Sequence, residues 1–78
     1  MIFDYSKLNG RIIEKFGTRR AFAKALDRSE RTLSLKLNSK IYFSQGEIMK
    51  AVELLNLPKD EIQTYFFKEK VQFIELTT

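Results

Sequence analysis

The chain contains no cysteine, no histidine and no tryptophan. Without cysteine, neither a disulfide framework nor a cysteine-based zinc site can form. Without histidine, the chain lacks the side chain that most often acts as a general base or a metal ligand. The carboxylates are scattered, and residues such as Glu14, Glu53 and Glu61 form no pair at a spacing typical of acid–base catalysis or metal binding. We therefore expect no enzymatic activity, no cofactor and no small-molecule substrate.

Long apolar stretches are also absent. No segment approaches the roughly 20 apolar residues that a membrane-spanning helix needs. Residues 1–5 lack the basic start and the long apolar run of a signal peptide. We therefore expect a cytoplasmic protein with no membrane partner.

The composition that remains is typical of one small globular domain. Of the 78 residues, 44% are hydrophobic and 13% are aromatic, whereas 31% are charged. A chain of this length is near the lower limit at which a single hydrophobic core stabilises a fold. We therefore expect one folded unit rather than two.

Positive charge is concentrated in the first half of the chain. The whole sequence carries a net charge of +4, but residues 7–40 hold ten basic and three acidic residues, a net charge of +7. The remaining residues carry a net charge of −3. This distribution predicts that a polyanion would bind to the N-terminal half.

Apolar spacing and capping residues predict five short helices. The first covers about residues 5–16. Thr18, Ser29 and Ser44 are placed as N-caps of the next three helices, and Ser44 with Glu47 forms a capping-box pattern. The predicted second, third and fourth helices cover about residues 19–26, 30–38 and 45–55, and a fifth opens at Pro58.

The third predicted helix has an alternative. Residues 32–37 alternate polar and apolar side chains, which is also typical of a half-buried strand. We favour a helix because Ser29 is placed as an N-cap and because Leu and Lys prefer helices to strands. In a helix Leu33 and Leu37 share the core-facing side, and Leu35 faces the opposite way.

Residues 18–33 carry the local requirements of a helix-turn-helix. The first helix needs a small residue midway, the turn needs a residue that tolerates positive φ, and the second helix needs an apolar anchor. Ala23, Asp27 and Leu33 hold these places. Through this segment, TRRAFAKALDRSERTL, the chain resembles the Cro and lambda-repressor-like helix-turn-helix family, and the likeness extends to Phe66. It is similar to small Cro-like regulators of temperate phages of Gram-positive bacteria.

The resemblance implies both a fold and a function. The fold is all-α, a five-helix lambda-repressor-like helix-turn-helix domain over residues 1–69, with a short strand as an option in residues 70–78. The function is that of a transcriptional regulator, in the simplest case a repressor, whose third helix enters the major groove of double-stranded operator DNA. Two positions depart from the family pattern, because Arg19 stands where Gln is common and Asp27 stands where Gly is usual.

Under this interpretation the exposed face of the third helix reads bases, and the basic residues around it contact phosphates. The alternative for each group is an ordinary solvated surface, and Glu30 equally suits the first turn of a helix, where the dipole favours an acid. The predicted base contacts are Ser29, Glu30, Arg31, Ser34, Leu35 and Asn38. The predicted phosphate contacts are Arg19, Arg20, Lys36 and Lys40.

The C-terminal tail, residues 70–78, is a candidate dimerisation segment. Its apolar residues alternate from Val71 to Phe73, which predicts a strand that pairs with the same segment of a second copy and makes a homodimer. The alternative is a helix extension that folds back over Phe3 and Tyr5 in a monomer.

A second function class stays open for the same sequence. A protein-interaction module, such as an anti-repressor or modulator, would use the aromatic C-terminal segment to bind another regulator. The surplus of aromatic rings in that segment suggests a dimer interface, because a domain of this size struggles to bury so many. The rings concerned are Tyr65, Phe66, Phe67 and Phe73. The charge of residues 7–40 favours DNA over a protein partner, since a pure protein binder has no need of it.

Overall fold

A computed structural model describes residues 2–69 as a helical fold. In chain order its elements are α1 (Ser6–Phe16), α2 (Arg19–Ala25), α3 (Glu30–Leu37), α4 (Gln45–Leu55), a 3₁₀ helix (Lys59–Glu61) and α5 (Ile62–Phe66). Within the described residues β-type pairing is limited to one isolated antiparallel bridge, between Phe3 and Glu69. The predicted all-α class with five helices is confirmed. The tail predicted as a strand or a helix extension, residues 70–78, lies outside the described residues.

Side-chain caps determine where three of the helices begin. Thr18, Ser29 and Ser44 each accept a hydrogen bond, 3.1 Å long, from the backbone N–H three residues further on. Glu47 completes the capping box, since its Oε1 accepts from the Ser44 N–H at 2.7 Å. Asn56, with φ of 52°, ends α4 in the left-handed conformation. These boundaries agree with the sequence prediction because caps are local signals.

The core lies around α1, which packs against α2, α4 and α5, while α2 also packs against α3. Helix α3 buries Leu33 and Leu37, as a helical phase requires, and residues 32–37 are therefore not a strand. Leu35 differs from the prediction, since it is half-buried rather than fully outward. The largest fully buried side chains are Phe22, Phe66, Leu8, Ile12, Leu26, Leu33 and Leu55.

A buried carboxylate joins three parts of the fold. Glu47, on the first turn of α4, is only 6% exposed. Its Oε1 lies 2.9 Å from the ammonium nitrogen of Lys36 on α3, and its Oε2 accepts from the guanidinium of Arg28 in the turn between α2 and α3. Burial alone would raise the pKa of Glu47, but the Ser44 N–H, Lys36 and Arg28 outweigh it and lower that pKa to about 2. Glu47 is therefore ionised in the folded protein and holds α4 to α3.

The two ends of the described chain are tied together at Phe3. The Ser39 hydroxyl accepts from the Phe3 N–H at 3.3 Å and donates to the Phe3 carbonyl at 3.1 Å. The next residue, Asp4, donates its N–H to the carbonyl of Lys68 at 2.7 Å. The N-terminal segment thus lies between the end of α3 and the segment that follows α5.

The turn between α2 and α3 contains a residue in a costly conformation. Asp27 has φ of 64°, which glycine adopts without strain and other residues do not. We expect Asp27→Gly to raise the free energy of unfolding by up to about 1 kcal/mol, because relief of the strain exceeds the extra entropy of the unfolded chain. Urea unfolding measures the change. Asp27→Ala removes the same charge but keeps the strain, so an equal gain from Asp27→Ala would contradict this explanation.

Because Glu47 is ionised in the folded protein, the free energy of unfolding depends on pH. Its pKa in the folded protein, about 2, lies below the usual 4.5, so its contribution is present above about pH 4.5 and is lost as the pH falls towards 2. We expect a loss of roughly 3 kcal/mol from this residue over that interval. Urea unfolding at a series of pH values measures it. Glu53→Gln changes an exposed carboxylate on the same helix and should keep this pH dependence. If the free energy of unfolding of the wild type does not fall in acid, Glu47 is not held as described.

Candidate functional site

Helix α3 and its caps carry the residues predicted to contact bases. Glu30, Arg31 and Asn38 are exposed, and Ser34 is half-buried like Leu35. The N-cap hydroxyl of Ser29 is engaged with the Thr32 N–H and the Thr32 hydroxyl. The fold brings these residues together on one helix, and their roles as base contacts stay a sequence prediction.

The four predicted phosphate contacts differ in how far their side chains are buried. Arg20 and Lys40 are exposed, and Arg19 is half-buried with its Nε donating to Asn9 Oδ1 at 2.8 Å. Lys36 differs from the prediction, because it is only 7% exposed. Its ammonium group is engaged inside the fold with Glu47 and is not on the surface where a phosphate could reach it.

The helical phase of α3 in the sequence indicates that Lys36 faces the core. Lys36 lies three residues after Leu33 and one before Leu37, and at 100° per residue it falls on the core side of α3. A lysine there can bury its alkyl stem while its head finds a polar partner. Its partners are Glu47 and the backbone carbonyl of Tyr42, to which Lys36 Nζ donates at 2.9 Å.

Aromatic side chains form an exposed surface where the two ends of the described chain meet. The centroid of the Phe3 ring lies 6.4 Å from that of Tyr42 and 5.9 Å from that of Phe67, both in edge-to-face geometry. Tyr42 is 67% exposed and Phe67 is 46% exposed. We call these three rings the Phe3 patch. Ile2 and Ile41, the chain neighbours of Phe3 and Tyr42, are exposed as well.

The Phe3 patch is connected to the core by a series of edge-to-face or tilted rings. Phe3 lies 6.1 Å from Tyr5, Tyr5 lies 5.4 Å from Phe43, and Phe43 lies 5.5 Å from Phe66, measured between ring centroids. Burial raises the pKa of Tyr5, with a smaller contribution from Tyr42, so the Tyr5 hydroxyl stays protonated at neutral pH. The exposed rings therefore rest on aromatic rings of the core.

Sequence reasoning found only part of this surface. Of the aromatic residues singled out near the C-terminus, Tyr65 and Phe66 are buried and Phe67 is exposed. Phe73 lies outside the described residues. The patch depends on contacts between distant segments, such as the hydrogen bonds between Phe3 and Ser39, 36 positions apart. Such contacts cannot be predicted from a local sequence pattern.

A cavity of about 240 Å³ opens beside the Phe3 patch. It lies between the N-terminal segment, the start of α2 and the end of α3. Its lining combines apolar side chains with two charged ones, Asp4 and Arg19. The lining residues are Ile2, Phe3, Asp4, Tyr5, Ser6, Asn9, Arg19, Leu37, Asn38 and Ser39.

Residues 2–69 contain neither a membrane-spanning helix nor a cluster of metal ligands. No helix there has the length and apolar character to cross a membrane. No group of three or more acidic side chains in this part of the chain is arranged to hold a metal ion.

A solved structure resembles the protein closely. The solution structure of the modulator of repression (MOR) of the temperate bacteriophage TP901-1 from Lactococcus lactis superposes with a TM-score of 0.75 and is 51% identical in sequence. The match covers 92% of this chain and 97% of that chain. No match was found among curated proteins.

This match overturns the functional expectations drawn from residues 18–33. The similar protein is a phage modulator of repression, so the assignment to Cro and lambda-repressor-like regulators is wrong. The expectation of a DNA-binding repressor with operator DNA as partner is wrong for the same reason. The expected homodimer rested on the surplus of aromatic rings and on residues 70–78, which lie outside the described part. The misleading residues, Ala23, Asp27 and Leu33, are those that any two short packed helices need, and they carry no information about a partner.

The family comparison covers nearly the same part of the chain that the structure describes. Residues 1–69 match a family whose description is "Protein of unknown function (DUF739)". The chain belongs to the DUF739 family.

Proposed function

We propose that this chain is a modulator of repression, a protein-interaction module that binds a repressor protein and changes its activity. The observation that carries the proposal is the 51% identity to the phage TP901-1 modulator over 92% of this chain. The interacting unit is residues 1–69, with residues 70–78 as its tail. The action requires binding alone, with no catalysis, and takes place in the cytoplasm of the bacterial host, where a phage repressor acts.

The Phe3 patch supports the proposal as the surface that binds the repressor. Interface centres are enriched in aromatic side chains and depleted of charged ones. Tyr42 and Phe67 have this character, and both are exposed in the free protein. A partner that covers them removes apolar surface from water, which is the main favourable contribution to protein association.

Helices α2 and α3 have a different role in this proposal. We assign them a helix-turn-helix arrangement of the lambda-repressor type that serves as a scaffold. The short α2, the turn at Asp27 and the Ser29 cap of α3 support this assignment. In the scaffold, Lys36 holds the Tyr42 carbonyl, so α3 positions the loop that presents the patch.

Binding to a repressor can be measured directly. The probe is the repressor encoded by the same phage genome, titrated with the full chain by calorimetry and, separately, bound to its operator in a mobility-shift assay. The proposal expects a defined complex and a change in operator occupancy when the chain is added. If the chain binds the operator by itself and does not bind the repressor, the proposal is wrong.

Tyr42 should contribute strongly to that binding. Truncation of a central aromatic residue costs about 2 kcal/mol or more, so we expect Tyr42→Ala to weaken repressor affinity about 30-fold or more. The thermal unfolding midpoint should change little, because the side chain is mostly exposed. Met49→Ala is the matched control, since Met49 is equally exposed on α4, at 68%, and is not part of the patch. Equal losses of affinity from both substitutions would exclude the Phe3 patch as the interface.

A further inference from the structure

A basic side chain in the cavity beside the Phe3 patch has no anionic partner among residues 2–69. Arg19 lines this cavity and is half-buried. Within residues 2–69 no Asp or Glu lies within ion-pair distance of its guanidinium, whereas the ion pairs that do occur use Lys7, Arg11, Arg28 and Lys36. A half-buried guanidinium gains more from a carboxylate than an exposed one, because water screens the pair less.

A neighbouring side chain holds the guanidinium of Arg19. Its Nε donates to Asn9 Oδ1 on α1 at 2.8 Å. This bond holds one edge of the planar guanidinium, and the terminal nitrogen donors remain for a ligand. A carboxylate fits such donors with two parallel hydrogen bonds.

The rest of the lining favours a protein side chain over a nucleic-acid phosphate. Ile2, Phe3, Tyr5 and Leu37 give the cavity an apolar side, and Phe3 is shared with the exposed patch. A phosphate backbone has no apolar surface to bury there. The other charged lining residue, Asp4, has its Oδ1 engaged by the N–H and the hydroxyl of Ser6, at 2.9 and 2.7 Å.

We propose that this cavity receives an acidic side chain of the repressor, with Arg19 as its ion-pair partner and Asn9 as the residue that positions Arg19. The proposal rests on the proposed function, and it adds the chemistry of the anchor that the partner must carry. The partner surface is therefore apolar where it covers the Phe3 patch, with an Asp or Glu at the edge that reaches the cavity. This anchor gives selectivity as well as affinity, since a partner without the acid leaves Arg19 unpaired.

The first test compares two neighbouring arginines. Removal of one partner of a hydrogen-bonded interfacial charge pair costs affinity severely, so Arg19→Gln should weaken binding of the repressor encoded by the same phage genome about 30-fold or more. Arg20→Gln removes the same charge at an exposed position outside this cavity and should change affinity about threefold or less, as for a rim charge. Circular dichroism melting of each variant confirms that it is folded.

A second variant keeps Arg19 but gives its guanidinium an ion-pair partner inside the chain. Asn9→Asp places a carboxylate next to the guanidinium, so Arg19 is paired inside the chain before the partner arrives. We expect the thermal midpoint to stay the same or rise while repressor affinity falls about tenfold or more. A purely structural role of the Asn9–Arg19 contact would leave affinity unchanged in this variant.

Charge reversal identifies the partner's acid. Arg19→Glu should abolish measurable binding, and one Asp→Lys or Glu→Lys variant from a scan of the repressor surface should restore it. If the wild-type chain does not bind the repressor, both the proposed function and this proposal are wrong. If the wild type binds and Arg19→Gln behaves like Arg20→Gln, only this proposal is wrong. If Arg19→Gln weakens binding to a random-sequence DNA duplex but not to the repressor, the occupant is a nucleic acid and the proposal is overturned.

Discussion

The buried carboxylate of Glu47 is the interaction on which the arrangement of the protein's exposed surface depends. It receives the Ser44 N–H, the Lys36 ammonium and the Arg28 guanidinium, so it joins α4 to α3 and to the turn before α3. A buried charge is tolerated only when it is paired and hydrogen-bonded, and loss of one partner is costly. Lys36 also donates to the Tyr42 carbonyl, and the loop that presents the Phe3 patch is therefore held by the same group of charges.

The fold was predictable from local signals, and the candidate interface was not. The caps at Thr18, Ser29 and Ser44 determine helix starts through contacts over three residues, which a sequence displays directly. The Phe3 patch arises because Phe3 meets Ser39 and Phe67, which are far apart in the chain. Its location follows from the packing of the helices, and no periodicity or motif in the sequence records that packing.

The functional prediction was wrong because it inferred the binding partner from the helical scaffold. A small residue, a turn residue and an apolar anchor are required to pack two short helices, whatever the pair then binds. The basic residues reinforced the DNA interpretation, although two of them are engaged by other side chains of the fold. Lys36 is paired with Glu47 inside the fold, and Arg19 lies in the cavity beside the patch, held by Asn9. The side chains left exposed, rather than the helical pattern beneath them, indicate the class of partner, and here they include a cluster of aromatic rings.

In the proposed function the Phe3 patch, rather than the outer face of α3, contacts a repressor protein. Titration of the ¹⁵N-labelled chain with unlabelled repressor, followed by amide chemical shifts, tests it residue by residue. The account predicts that the largest shift changes fall at Phe3, Ile41, Tyr42 and Phe67, with small changes at Glu30 and Arg31. Shift changes concentrated at Glu30 and Arg31, or changes that occur only when an operator duplex is added, would contradict it.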